Sequence, residues 1–181
     1  MEKIEVIQRI ISYILATMKG QTIRQLRRKG AKIGKDVQLL ASLIDPNTAC
    51  LIEIGDNVII TNATVYAHDA STKMYLGYTK ISKTIIGNYV FIGAGSIILP
   101  GVTIGNYVIV GAGSIVRESI PDNCVVAGNP AKVICSFDEY IERNKGRMKN
   151  APIYDKAISE MSMAEKERMC KEVGNKIGYE I

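Results

Sequence analysis

Between Ile86 and Pro121 apolar positions recur every six residues. Ile86, Ile92, Ile98, Ile104, Val110 and Val116 form one register, and Val90, Ser96, Val102, Val108, Ser114 and Ile120 form a second, four residues on. A period of six fits neither a 3.6-residue helix nor an alternating strand. It fits a solenoid in which a short strand and a sharp turn recur, three of them closing one coil. The unit is written twice: residues 86–103 and 104–121 agree at ten of eighteen positions, including Ile-Gly-Asn-Tyr-Val and Gly-Ala-Gly-Ser-Ile. The β-branched residues are expected to point inward and stack on their equivalents one coil away, roughly 4.8 Å along the axis. Glycine is expected to supply the positive φ of the turns.

The flanks follow other patterns. Ile4, Ile7, Ile11, Ile14 and Met18 have helical spacing, ending at Gly20. A second short helix, about Thr22 to Lys29, carries Arg24, Arg27, Arg28 and Lys29 and ends at Gly30. Residues 1–30 thus read as a helical cap over the open end of a solenoid, whose unpaired strands would otherwise invite aggregation. The basic helix also offers a surface for peripheral membrane contact. The solenoid, residues 31–135, starts at Ile33-Gly34-Lys35-Asp36-Val37. Residues 39–49 read as irregular around a turn at Asp45-Pro46-Asn47, and the register returns at Ile54-Gly55-Asp56-Asn57-Val58. Tyr66 and Ile86 lie twenty residues apart, which six does not divide, so part of residues 69–82 must leave the coil as a loop. Val125-Val126-Ala127 is the last strand, and residues 128–134 close the solenoid. In the segment 136–181, Ser136 and Glu139 form a capping box for a helix to about Lys145, stopped by Gly146. Ser162 and Glu165 form another, for a helix that ends at Gly174.

Composition narrows the function. The chain has 181 residues, a net charge of +5 and no Trp. Few aromatics suit a narrow interior of Ile and Val. The mild basicity would suit an anionic surface or a phosphorylated ligand, but no aromatic–basic interleaving supports nucleic acid. Cys50, Cys124, Cys135 and Cys170 are widely spaced with no CxxC pair, so a zinc site is not expected and the thiols read as reduced. No signal peptide and no membrane-spanning segment is visible, which points to a cytoplasmic protein.

His68 is the single histidine, at the last regular position before the loop and beside Asp69. A histidine can take a proton from a hydroxyl as general base. The run Thr64-Val-Tyr-Ala-His68-Asp-Ala-Ser-Thr-Lys73, the two Gly-Ala-Gly-Ser coils about twenty-five residues on, and the closing Gly128-Asn-Pro-Ala-Lys132 come in one order. Over about residues 33–135 this order resembles the hexapeptide-repeat acetyltransferases, nearest in look to the sugar and capsular polysaccharide O-acetyltransferases. The resemblance implies an all-β solenoid wound as a left-handed parallel β-helix, a hand opposite to the general rule for parallel connections. It implies acetyl-CoA as acyl donor without a metal, His68 as the base that deprotonates an acceptor hydroxyl, and direct attack on the thioester. It also implies a homotrimer with active sites between subunits.

By the same resemblance, Ala94 and Ala112, eighteen apart on one face, match acetyl-CoA contacts, and Lys132 matches a basic residue at the nucleotide phosphates. Arg117 lies where the family has cofactor contacts of other residue types, and Cys135 where some relatives carry a second arginine. Asp69 can orient the imidazole or contact the acceptor; a backbone carbonyl can orient the ring as well. Asp45, Asn62 and the 69–82 loop are further acceptor candidates. The surroundings of Asp45 do not match the acidic residue of galactoside acetyltransferases, which turns the expectation toward capsule, O-antigen or exopolysaccharide building blocks. N-acetylation of a nucleotide-linked amino sugar, acetylation of serine or an antibiotic, and a non-catalytic scaffold remain as alternatives. A γ-type carbonic anhydrase would need three zinc histidines and is excluded.

Overall fold

Three short strands per coil build three parallel faces. In the computed structural model, which describes residues 22–181, the first face stacks Lys32–Ile33, Ile52–Ile54, Thr84–Ile86 and Thr103–Ile104. The second stacks Gln38–Leu40, Ile59–Thr61, Val90–Ile92, Val108–Val110 and Cys124–Ala127, and Lys132–Ser136 then folds back antiparallel along the last of these. The third stacks Leu43–Ile44, Thr64–Val65, Ile97–Ile98 and Ile115–Val116. The result is a parallel β-helix of triangular section. The helix expected through Ile4 to Met18 lies outside the described residues.

All twelve positions of the two six-residue registers are buried. In the tandem unit Val90 pairs with Val108, and Ile98 with Val116, each eighteen residues on. Ile92, Ile98, Ile104, Val108, Val110 and Val116 reach zero exposure. Ser96 and Ser114 occupy the same inward set at the corner between the second and third faces. Their hydroxyls are satisfied by backbone: Ser96 Oγ donates to Gly111 O at 3.0 Å and accepts from Ser114 N at 3.3 Å, and Ser114 Oγ accepts from Gly128 N at 3.2 Å.

The corner between the first and second faces corrects one expectation. There the positive φ is taken by Asp36, Asn57, Tyr89, Tyr107 and Asn123, not by glycine. The glycines just before serve close approach instead: a Cβ on Gly87 would lie 2.6 Å from Gly105 O. Polar side chains bind this corner coil to coil. Lys35 N donates to Asp56 Oδ1 at 2.7 Å, Asp56 N to Asn88 Oδ1 at 2.8 Å, Asn88 N to Asn106 Oδ1 at 2.9 Å, and Asn106 N to Asp122 Oδ1 at 2.8 Å.

A second correction concerns residues 39–49. The first coil stays regular through Ile44. Ala41 takes a φ of 53° and Ser42 the inward serine place, its hydroxyl donating to Ile60 O at 2.7 Å. With alanine where a glycine would signal the turn, the pattern was invisible. Only residues 45–51 leave the coil. Helix α1, Ile23–Arg28, buries Leu26 in the core of the β-helix. Arg27 Nη2 donates to Ile33 O at 2.7 Å and Gly34 O at 2.8 Å.

The chain divides into two compact units, one reaching to Phe137 and one of Asp138–Ile181. The helix Phe137–Met148 runs through Gly146, which does not stop it. In the second unit Ser162 caps the helix Met163–Val173 in a reciprocal box with Glu165, and Gly174 ends it.

Candidate active site

Two segments leave the β-helix at the same corner, between the third and first faces, one coil apart. The first is 45–51. The second follows His68. Val65 pairs with Ile98 thirty-three residues on, while Ile98 pairs with Val116 eighteen on, so fifteen residues are extruded. His68–Asp69 pairs antiparallel with Lys80–Ile81, and the helix α2, Lys73–Leu76, lies between. Met74, Tyr75, Leu76 and Tyr78 on this loop are exposed. Ser82 N donates to Ala67 O at 2.9 Å where the chain re-enters.

The two excursions bring Asp45 against His68. Asp45 is 2% exposed, and its Oδ2 accepts from His68 Nδ1 and the Thr48 hydroxyl. The same oxygen meets Ala67 N at 3.4 Å, and Oδ1 accepts from Asn47 N at 3.1 Å. Burial alone would push this carboxyl up. The Thr48 hydroxyl, the His68 ring and the N–H groups of Asn47 and Ala67 together outweigh it, so the carboxyl lies below its ordinary value. A carboxylate only accepts, so Nδ1 carries a proton, and in the neutral ring the lone pair is on Nε2. The His68 side chain is 30% exposed. Tyr66 meets it edge-on, with centroids 6.2 Å apart. A basic ring nitrogen, held in one tautomer over a buried anion at the root of a loop, can take a proton from a bound hydroxyl.

The structure therefore redistributes the carboxylates. Ring orientation, considered for Asp69 or a backbone carbonyl, comes from Asp45, which the sequence suggested only for the acceptor. Asp69 is bound elsewhere: Lys80 Nζ lies 2.5 Å from its Oδ2, and Ser71 N donates to its Oδ1 at 2.8 Å. These partners, Lys80 foremost, hold its carboxyl well below the usual range. Asp45 and Asp69 thus both have partners within the chain.

The remaining candidates divide between two corners. Asp45, Tyr66, Leu99 and Arg117 form one column up the third face's edge, linked by Asp45 N to Val65 O, Tyr66 N to Ile98 O, and Leu99 N to Val116 O. Glu118 follows Arg117 there, with Arg117 Nε 3.5 Å from its Oε1, and Lys132, whose backbone pairs with Ala127 at the end of the second face, brings its Nζ to 3.6 Å from Oε2. Asn62, Ala94 and Ala112 belong to the opposite edge, between the second and third faces. Gly95 N donates to Asn62 O and Gly113 N to Ala94 O, both at 2.8 Å. Asn62 takes a φ of 41°, a left-handed turn that asparagine tolerates better than most residues. The width of the third face, about five extended residues or roughly 15 Å, separates Ala94 and Ala112 from His68 within one chain. Sequence reasoning missed Thr48 and Glu118. Thr48 had a usable signal, a hydroxyl three residues after a turn-forming aspartate; Glu118 had none. Among the described residues, no cluster of three His, Cys, Asp or Glu side chains could hold a metal.

A family model described as bacterial transferase hexapeptide (six repeats) matches residues 83–118. Protein CapG of Staphylococcus aureus is 46% identical over 125 residues, covering 64% of this chain and 72% of CapG. A maltose O-acetyltransferase from Clostridium difficile 630 superposes with a TM-score of 0.51 at 34% identity, covering 61% of this chain and 72% of that one. A galactoside acetyltransferase solved in complex with coenzyme A superposes with a TM-score of 0.50 at 27% identity, covering 65% of this chain and 70% of that one. The architecture is the left-handed β-helix of hexapeptide repeats.

Proposed function

The chain belongs to the hexapeptide-repeat acetyltransferases, and from that premise we propose that it moves the acetyl group of acetyl-CoA to a hydroxyl of a sugar or polysaccharide precursor, with His68 as general base. The observation that carries the reading is the buried Asp45 carboxylate on His68 Nδ1. It fixes Nε2 as the proton acceptor and stabilises the imidazolium that forms. The acceptor oxygen gives its proton to Nε2 as it attacks the thioester carbonyl. The tetrahedral adduct then expels the thiolate, which recovers that proton from the imidazolium. The result is an acetyl ester and free coenzyme A thiol, with no acyl-enzyme.

The division of candidates between two edges supports a shared site. A neighbouring copy that sets its Ala94/Ala112 edge against this chain's His68 edge would complete the site, which is the arrangement a homotrimer with active sites between subunits provides. The acyl donor would then lie along the coils, its nucleotide end toward Arg117 and Lys132.

The test is free-thiol release from acetyl-CoA across a panel of sugars and nucleotide sugars, with wild type and His68→Ala side by side. We expect one acceptor class to stimulate release and the variant to lose about 10²- to 10⁴-fold in kcat. A His68→Ala protein with full activity would refute the general-base role.

A further inference from the structure

Arg117 and Lys132 do not stand apart in the resting chain. One carboxylate, Glu118, lies between them, with Arg117 Nε at 3.5 Å from one oxygen and Lys132 Nζ at 3.6 Å from the other. All three side chains are more than half exposed. Arg117 and Glu118 stand at the edge that carries His68, Arg117 two coils above Tyr66, roughly 10 Å along the axis, while Lys132, paired with Ala127 at the end of the second face, reaches Glu118 by its side chain. We propose that Glu118 is an internal stand-in for a phosphate group of the acyl donor, occupying the seat between Arg117 and Lys132 until the nucleotide end displaces it. The inference rests on the proposed use of acetyl-CoA and adds a competing anion to that site.

The chemistry favours exchange. Two cations around a single carboxylate keep an unbalanced positive charge, which a phosphate monoester, carrying close to two negative charges at neutral pH, neutralises more fully. Long separations and solvent exposure make the internal pairs weak, so they yield to a better anion. While the seat is empty of ligand, Glu118 keeps two like charges from facing each other unscreened. Donor affinity is therefore set below what Arg117 and Lys132 alone would give.

Glu118→Gln keeps the shape and removes the charge. Binding is read by titration calorimetry with acetyl-CoA and with its 3′-dephospho form, and kinetics by thiol release. Asp36→Asn, an exposed change of equal charge at the corner between the first and second faces, controls for long-range electrostatics. We expect Glu118→Gln to tighten acetyl-CoA binding about two- to fivefold, the range a weak exposed ion pair supports, with the change falling on KM. A gain confined to acetyl-CoA assigns the seat to the 3′-phosphate, and a gain shared by the dephospho form assigns it to the diphosphate. Unchanged or weaker binding in Glu118→Gln, or an equal gain in Asp36→Asn, overturns the inference. A wild type that ignores acetyl-CoA altogether would remove the proposed function first and this inference with it; a normal wild-type response without a gain in Glu118→Gln overturns this inference alone.

Discussion

Asp45→Asn is the sharpest perturbation of the candidate site, because it keeps the side chain's outline and removes only its charge and half its acceptors. In the native chain, Oδ2 serves Thr48, His68 and Ala67, and Oδ1 serves Asn47. An amide has one acceptor oxygen. If that oxygen keeps the Oδ2 place, the amide nitrogen opposes the Asn47 N–H, and the imidazolium loses its counter-charge. If the amide turns over, its NH₂ faces Nδ1, the ring proton moves to Nε2, and the base is lost. The second arrangement costs the full contribution of a positioned base, about 10²- to 10⁴-fold in kcat, or roughly 3–5 kcal/mol of barrier. The fold should also lose about 1.5–3 kcal/mol, the range for a hydrogen bond to a charged group. Thiol-release kinetics on wild type, Asp45→Asn, His68→Ala and the double variant decide the matter, with melting curves to establish that each is folded at the assay temperature. Since Asp45 acts through His68, the double variant should be no slower than His68→Ala alone. Wild-type kcat in a folded Asp45→Asn protein, or losses that simply add in the double variant, would refute the reasoning.

Two further outcomes follow from the same geometry. The folded Asp45 carboxyl titrates below its ordinary 3.8, so its stabilisation is present above that value and is lost as pH falls through the folded value. The melting-temperature gap between wild type and Asp45→Asn should shrink as pH falls below 3.8; a gap that persists undiminished under strongly acidic conditions would contradict the assignment. Two glycines should respond in opposite directions. Gly87→Ala drives a Cβ to 2.6 Å from Gly105 O and should cost about 1–3 kcal/mol. Gly146→Ala meets nothing within 4 Å inside a helix and should stabilise by up to about 1 kcal/mol. Denaturant midpoints read both, and equal shifts would undo the steric argument.

The core of the β-helix was legible because the six-residue period is a direct image of which side chains point inward; every position of both registers is buried. Where that image fails, a local substitute has replaced the expected residue. Ala41 turns with positive φ where the pattern calls for glycine, so a regular first coil reads as irregular in the sequence. Tyr89 and Tyr107 turn with positive φ too, held by stacked rings 4.8 Å apart. Gly146 signals a helix stop in the sequence, yet an exposed glycine inside a helix only weakens it. The site was half legible. His68 stood out as a lone histidine at the edge of a broken register. Its partner did not, because Asp45 and His68 are twenty-three residues apart and no multiple of the period joins them. Their meeting depends on the lengths of both excursions, which only the folded coil reveals. The split of Asn62, Ala94 and Ala112 from His68 was hidden for a related reason: an eighteen-residue spacing tells which residues stack, but not which corner of the triangle they occupy.

The Asp56–Asn88–Asn106–Asp122 ladder gives the coil something like a reading frame. Each of these side chains accepts the N–H of the rung before it, so a spliced-in unit of eighteen residues would find its partners above and below already in place. Such an insertion is silent, and the tandem copies at 86–103 and 104–121 have the form it would leave. An insertion of any other length is a frameshift that the stack tolerates only by pushing the surplus out at a corner. Here both surpluses emerge at one corner, on adjoining coils, and their roots hold Asp45 and His68. In a scaffold that can lengthen without changing its surface, new chemistry enters where the count goes wrong.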